Sequence, residues 1–383
     1  MKNVYLLFLM SLFVLMNVSC TEETKQEEEF YLFVGTYTGE GSEGIYLYRF
    51  DSADGTVSPA DTVSGVENPS YLYLSPDNRA LYAVNELADS SDATVSSYSF
   101  NPESGEIGFL GRQSSRGGAP CYVSTDKTGK AVFAANYVGG SLAMYPVSED
   151  GALEEPKTVI EHEGSSVNES RQESPHVHCT IISPDNTMLF AVDLGTDRVT
   201  GYAFDAENNT LAAEPAILYQ TEKGAGPRHL TFHPNGEYAY LVNELNGTVE
   251  AFNYAGGSLE AIQNVSTLPE NYEGAVSGAD IRVSPDGRFL YVSNREDLNN
   301  IVIYAIDEAN GRLKRVGEES SGGVHPRNFM IDPTGNYLLA ANRHSDNIVV
   351  FKRDKQTGLL SATGIEVKIS QPVSLQMAPV NGD

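Results

Sequence analysis

Beyond Phe30 the chain alternates short apolar runs with turns rich in Gly, Pro, Asn and Asp, and helical periodicity of any length is absent. One unit recurs: a turn such as Ser284-Pro285-Asp286-Gly287, an apolar run such as Phe289-Leu290-Tyr291-Val292-Ser293, then Asn294. Equivalent runs close at Gly35, Asn85, Asn136, Asp193, Asn243 and Asn342; with Asn294 in its place the intervals are 50, 51, 57, 50, 51 and 48 residues. Each unit contains four strand-like runs, which in one copy are 228–232, 238–242, 247–254 and 259–265. Four antiparallel strands per unit, repeated radially, predict an all-β, seven-bladed β-propeller. A WD40 propeller would show shorter repeats and a Trp-Asp pair, and the chain has no Trp.

A second repeated feature predicts how the ring closes. An innermost strand follows each of Pro69, Pro120, Pro175, Pro227, Gly278, Pro326 and Pro372. The last of these, 373–377, comes after the final complete unit, whereas the first unit begins at Tyr31 without one. The C-terminal strand is therefore expected to complete the N-terminal blade, leaving no broad sheet edge exposed. The propeller should span 30–378, with 379–383 a tail.

The N-terminus is of another kind. Lys2 precedes an apolar run over 4–18, too short to span a bilayer and suited to a secretory signal, so 1–19 reads as a signal peptide. Val18-Ser19-Cys20 looks like a bacterial lipoprotein processing site, with the Cys20 thiol lipidated and 20–29 an acid-rich tether. The expectation is an exported lipoprotein at the periplasmic face or outer membrane, touching the membrane only through its N-terminal lipid; a soluble periplasmic protein is the alternative. Cys121 lies one residue past its proline and Cys179 four past its own, about 10 Å apart in depth at 3.3 Å per residue. Two free buried thiols follow, despite the oxidising compartment.

Charge narrows the partners. With 52 acidic and 25 basic residues the net charge is −27, which argues against nucleic acid and anionic membrane surfaces. In an antiparallel pair, the start of the innermost strand and the end of the second strand share one rim. At that rim the register gathers Arg228, Arg295, Arg327 and Arg343, with Arg171 on the incoming loop, and His176, His178, His229, His325 and His344, five of the seven histidines. Glu86, Glu244 and Glu296 join them. So many cations on one rim of an acidic protein describe an anion-binding pocket with acids and bases beside it. The Asn closing each unit is expected to cap turns, and His162 and His233 to be structural. No compact zinc or EF-hand spacing occurs, so no metal and no cofactor is expected.

At these residues the sequence resembles a known family. Gly164-Ser165-Ser166-Val167-Asn168, Arg171-Gln172, Pro175-His176-Val177-His178, Gly224-Ala225-Gly226-Pro227-Arg228-His229, Asn243-Glu244, Ser293-Asn294-Arg295 and His325-Pro326-Arg327 together resemble the propeller-type 6-phosphogluconolactonases, relatives of the fungal carboxymuconate cyclases. The resemblance covers about residues 30–378 in order. It implies a lactone substrate, with His176, His178, Arg228, Glu244 and Arg295 as the catalytic group and Arg171, Gln172, His229, His325, Arg327 and Arg343 as substrate-binding residues. The partner expected is a small anionic lactone or sugar acid. Arg228 and Arg295 suit an oxyanion or an anionic tail, and Glu244 or His178 would take the proton of water, with even weight on each. The alternatives are cycloisomerisation of an unsaturated diacid by the same set, and a non-catalytic surface propeller.

Overall fold

The computed structural model describes residues 28–39 and 41–380. Among them the strands form seven four-stranded antiparallel sheets arranged as the blades of a propeller. Blade 1 runs outward from the axis as Pro372–Pro379, Glu29–Thr36, Gly44–Asp51 and Val57–Ser64. Blades 2 to 7 start from the inner strands Leu72–Leu74, Pro120–Thr125, Val177–Ile182, Pro227–Phe232, Gly278–Val283 and Pro326–Ile331. The only helical element among the described residues is a 3-10 turn, Arg343–Ser345.

Burial follows the position of each strand in its blade. The second strands, such as Ala80–Asn85, Tyr238–Asn243 and Phe289–Asn294, are buried at every position, because neighbouring blades cover both faces. Such strands read as continuous apolar runs. Outermost strands such as Leu313–Ser320 and Leu360–Lys368 largely alternate, since one face meets water. The turns between the first and second strands are fixed by one side chain each. Ser284 Oγ accepts from Phe289 N at 3.1 Å and donates to Asp286 at 2.6 Å, and Ser75 and Ser183 repeat the arrangement. Gly287 holds φ +72° there, and a Cβ would meet the His233 ring at 2.8 Å, so glycine suits the position where Asn78 and Asn186 stand in the other two turns.

The ring closes through the C-terminal strand, with Leu32 opposite Met377 and Val34 opposite Leu375. The closing strand is also tied to both neighbours: Leu375 N donates to Asn328 Oδ1 of blade 7, and Leu72 N of blade 2 donates to Ser374 Oγ, each at 2.9 Å. Pairing reaches Glu29 and Pro379, one residue beyond the expected limits at either end, because Phe30 pairs with Pro379 and Val380 N donates to Glu29 O. The expected signal peptide, Cys20 and nearly all of the expected acidic tether lie outside the described residues. Cys121 and Cys179 are both free and buried.

Candidate active site

The register builds the site. Pro227 pairs with Asn243, Gly278 with Asn294 and Pro326 with Asn342, so the residues just past each partner meet at one mouth of the channel. The inner strands carry a further device. In blades 3, 4, 5 and 7 the ladder skips one residue just inside the rim, and the skipped residues are Cys121, His178, Arg228 and Arg327. In blade 6 the skip takes in Ala279 and Asp280. A β-bulge re-aims the side chain of its extra residue. Four blades thus present a polar side chain or a thiol at the same register position.

Glu244 is the centre of the charge cluster. It is buried, and its carboxylate meets Arg171 Nη2 at 2.6 Å, Arg228 Nε at 3.0 Å and Arg295 Nη2 at 3.0 Å. Burial alone would raise its pKa, but Arg295, Arg228 and Arg171 outweigh burial and hold the carboxyl far below the ordinary range. Arg228 is only 1% exposed, with Nη1 donating to Ala279 O at 2.7 Å. Arg295 donates to Gly278 O at 3.1 Å, and burial lowers its pKa to about 10 even with Glu244 adjacent. The Nε atoms of both arginines are buried without an aligned hydrogen bond, so the pairing with Glu244 does not exhaust their donors.

The histidines divide by what their nitrogens touch. His178 is buried, with Nδ1 3.7 Å from Cys121 Sγ and no partner for Nε2 among the described residues. Burial, then Arg228 and His229, push its pKa well below 6.5, so the ring is neutral. His176 stacks on Tyr137 at 4.4 Å, donates from Nδ1 to Tyr137 O at 2.8 Å and approaches Glu173 through Nε2 at 3.4 Å. Its Nδ1 is therefore committed to the backbone. His229 donates from Nδ1 to Asp280 at 2.9 Å, while Arg228 Nη1 lies 3.1 and 3.4 Å from its two nitrogens; burial and then Arg228 push its pKa down to about 3. His325 holds φ +65°, a strained conformation for an L residue, and its ring packs on the exposed His344 at 4.2 Å. Its Nε2 is buried without a partner.

Two arginines remain less committed. Arg327 lies 3.8 Å from Glu86 and makes no hydrogen bond among the described residues. Arg343 sits over the Tyr37 ring at 4.2 Å and donates to Gln371 at 3.3 Å. Gln172 is placed away from this chemistry: its carboxamide bonds Leu194 O, Asp197 Oδ1 and Asn168 N, so it braces the loop that carries Arg171. Asp197, Tyr37, Tyr137 and Asp280 were not anticipated. Asp197 accepts from Gly224 N at 2.7 Å and Gly226 N at 2.8 Å, which shapes the segment leading into Arg228. Gly226 has φ +63°, and a Cβ there would strike Leu245 at 2.4 Å. Tyr37 and Tyr137 were within reach of the register rule, since each follows a second strand just as Glu244 and Arg295 do.

The expected structural residues behave as such. Asn85, Asn136 and Asn342 donate to carbonyls of neighbouring loops at 2.8 to 2.9 Å. His162 bridges Asp193 and Tyr202, and His233 donates to Gly287 O. Among the described residues no three His, Cys, Asp or Glu converge as a metal site. A cavity of about 690 Å³ lined by Val66, Tyr98, Phe109 and Arg112 lies between blades 1 and 2, and none of the clustered arginines lines it; the charge cluster, not cavity size, marks the site.

Residues 31–377 match the family model described as lactonase, 7-bladed β-propeller. The chain is 35% identical over 349 residues to a 6-phosphogluconolactonase of Formosa agariphila, covering 90% of this chain and 99% of the relative. It is 37% identical over 346 residues to one of Bacillus subtilis, covering 90% and 97%. Among solved structures it is similar to a periplasmic gluconolactonase of Pseudomonas aeruginosa, with TM-score 0.87 and 39% identity over 92% of this chain and 99% of that one.

Proposed function

Because the chain belongs to the seven-bladed β-propeller lactonase family, we propose that it is a lactone hydrolase of the 6-phosphogluconolactonase type, opening a sugar-acid lactone to the free acid. The observation that carries this reading is a Glu244 carboxylate clamped by three guanidiniums, one of which, Arg228, also acts on the buried, neutral His178 at the same rim. Lactone opening needs a base for water and a preorganised positive field where the carbonyl oxygen becomes an oxyanion.

The geometry supports a division of labour between the two candidate bases. A carboxylate stabilised by three guanidiniums is too weak a base to take a proton, so Glu244 fixes Arg228 and Arg295 in place. His178 has an uncommitted nitrogen and is unprotonated at neutral pH. An anionic substrate beside it offsets the repulsion from Arg228 and raises its basicity. His178 takes a proton from water as the oxygen attacks the ring carbonyl; Arg228 and Arg295 stabilise the oxyanion. Collapse of the tetrahedral intermediate breaks the ring C–O bond, and the imidazolium returns its proton to the departing ring oxygen. The anionic tail of the substrate goes to Arg327, whose donors are unused, with Arg343 beside it.

The N-terminal reading accompanies this one: an exported protein, held by a lipid on Cys20, acting on lactones outside the cytoplasm. The periplasmic gluconolactonase among its structural relatives supports the compartment. The test of function is the rate of lactone loss above the spontaneous background for wild type, Arg228→Ala and His178→Gln, on phosphorylated and unphosphorylated sugar lactones. We expect each variant to lose about 10²-fold or more with the fold retained. Background rates for all three proteins on every lactone would overturn the assignment.

A further inference from the structure

Each inner strand has a second end. Strands that start at the charged rim finish at the opposite mouth of the channel, where the ends of five of them surround a cavity of about 520 Å³. That volume lies within the ordinary range of small-molecule sites.

The polar groups of this cavity are unevenly spent. Asp126 accepts from Lys130 N, Ala131 N, Thr128 N, Thr128 Oγ1 and Asn186 Nδ2. Asp280 accepts from His229, Ile281 N, Arg282 Nε and Asn328 Nδ2. His233 donates to Gly287 O and accepts from Asn235 N. Both carboxylates and the imidazole are thus used up by the protein's own donors and acceptors.

The donors are not. Arg282 engages Asp280 through Nε, reaches the Tyr71 hydroxyl only at 3.4 Å through Nη2, and has no partner for Nη1 among the described residues. The Lys127 ammonium and the hydroxyls of Tyr73, Thr125 and Thr231, all in the same lining, also have none among them. A cavity whose carboxylates and imidazole are filled, and whose cations keep unspent N–H donors, does not favour a metal ion; it calls for an anionic acceptor. Its remaining walls are apolar, with Leu74, Ile181, Pro184 and Phe232 facing the same space. They offer nothing to a bare inorganic anion.

We propose that the mouth opposite the charged rim is a second ligand site, for a small organic carboxylate whose carboxylate rests on Arg282, with Lys127 adding charge at the lip, and whose ring or chain lies against Ile181 and Phe232. The site is independent of the lactonase reading. It touches the rim through the hydrogen-bonded pair His229 and Asp280: both line this cavity, and the His229 ring meets Arg228 from the other side.

The experiment is calorimetric or ligand-observed NMR titration of the purified protein with benzoate, and separately with inorganic phosphate. Variants Arg282→Gln, Lys127→Glu and, at the rim, Arg327→Ala are compared, each with its circular dichroism checked. Arg282→Gln should weaken benzoate about tenfold or more, the loss of a charge-assisted contact. Lys127→Glu, on an exposed turn and safe for folding, should weaken it about threefold, and Arg327→Ala should leave it unchanged. Should Arg282→Gln not fold, Lys127→Glu against Arg327→Ala still decides. The proposal is overturned by benzoate binding that follows Arg327 instead, that ignores both cavity variants, or that is absent at about 10 mM. Phosphate binding more tightly than benzoate in a manner sensitive to Lys127 would overturn the carboxylate class.

Discussion

Replacing Glu244 by Gln removes one charge and leaves three guanidiniums facing each other. At an effective dielectric of about 20 and charge centres about 4 Å apart, each Arg–Glu attraction is worth roughly 4 kcal/mol, or about 12 kcal/mol for three. Most of this is offset, because the variant no longer desolvates a carboxylate, Gln still accepts a hydrogen bond, and Arg171, whose side chain is 40% exposed, can turn toward solvent. Arg228 and Arg295 cannot follow it, being almost wholly buried. The net cost should match that of breaking a buried pair, about 3–5 kcal/mol, or a fall in Tm of about 4–7 °C. Activity should fall about 10²-fold or more, with most of the loss in kcat, because Arg228 and Arg295 lose the group that aims them. Inorganic phosphate should recover part of the lost Tm by supplying the missing negative charge. Thermal melts with and without phosphate, alongside lactone hydrolysis by purified variant and wild type, test the argument. A Tm within about 1 °C of wild type, or activity within about threefold, would refute it.

Other outcomes follow from the same contacts. His178 and His229 are buried neutral, with folded-state pKa values below the ordinary 6.5, so the unfolded chain binds the extra protons. Their contribution to stability is whole above about pH 6.5 and is lost below it at about 1.4 kcal/mol per pH unit for each ring; denaturant titrations flat from pH 7 to 5 would contradict this. The same depression of His178 predicts a kcat/KM of the free enzyme that does not fall as pH drops from 7.5 to 5.5, and an acid limb near 6.5 would remove His178 from its role. Deleting residues 370–383 removes the buried Leu375 and Met377 and opens the inner edge of blade 1, so the melting temperature should collapse; an unchanged melt would break the closure argument. Cys20→Ser should move the protein from the membrane to the soluble fraction, whereas equal fractionation of wild type and variant would dispose of the lipid anchor.

The sequence by itself determined the number of blades, their strand order and the strand that closes the ring, because each depends on a local signal repeated seven times. Runs such as Phe289–Asn294 are continuous and apolar, turns such as Ser284-Pro285-Asp286-Gly287 carry their own hydrogen bonds, and the leftover strand after Pro372 had one vacant partner. The same register placed Arg228, Glu244, Arg295 and His178 at one rim, since antiparallel pairing fixes which strand ends meet. What the sequence left open was how those residues divide the chemistry. Glu244 and His178 are equal candidates for the base in the sequence, and the proposal that favours His178 rests on a tertiary contact: Arg171, a loop residue 73 positions away, joins Arg228 and Arg295 on one carboxylate. It was the tertiary structure, too, that tied His176 Nδ1 to the backbone of Tyr137, turned Gln172 inward to its own loop and brought Asp280 beneath His229. The bulges at Cys121, His178, Arg228 and Arg327 leave no mark on the hydrophobic pattern, because adding one residue at a strand's first pair does not disturb the alternation that follows. Protonation states and donor counts depend on which charges come within a few ångströms across different blades, and only the closed ring fixes those distances.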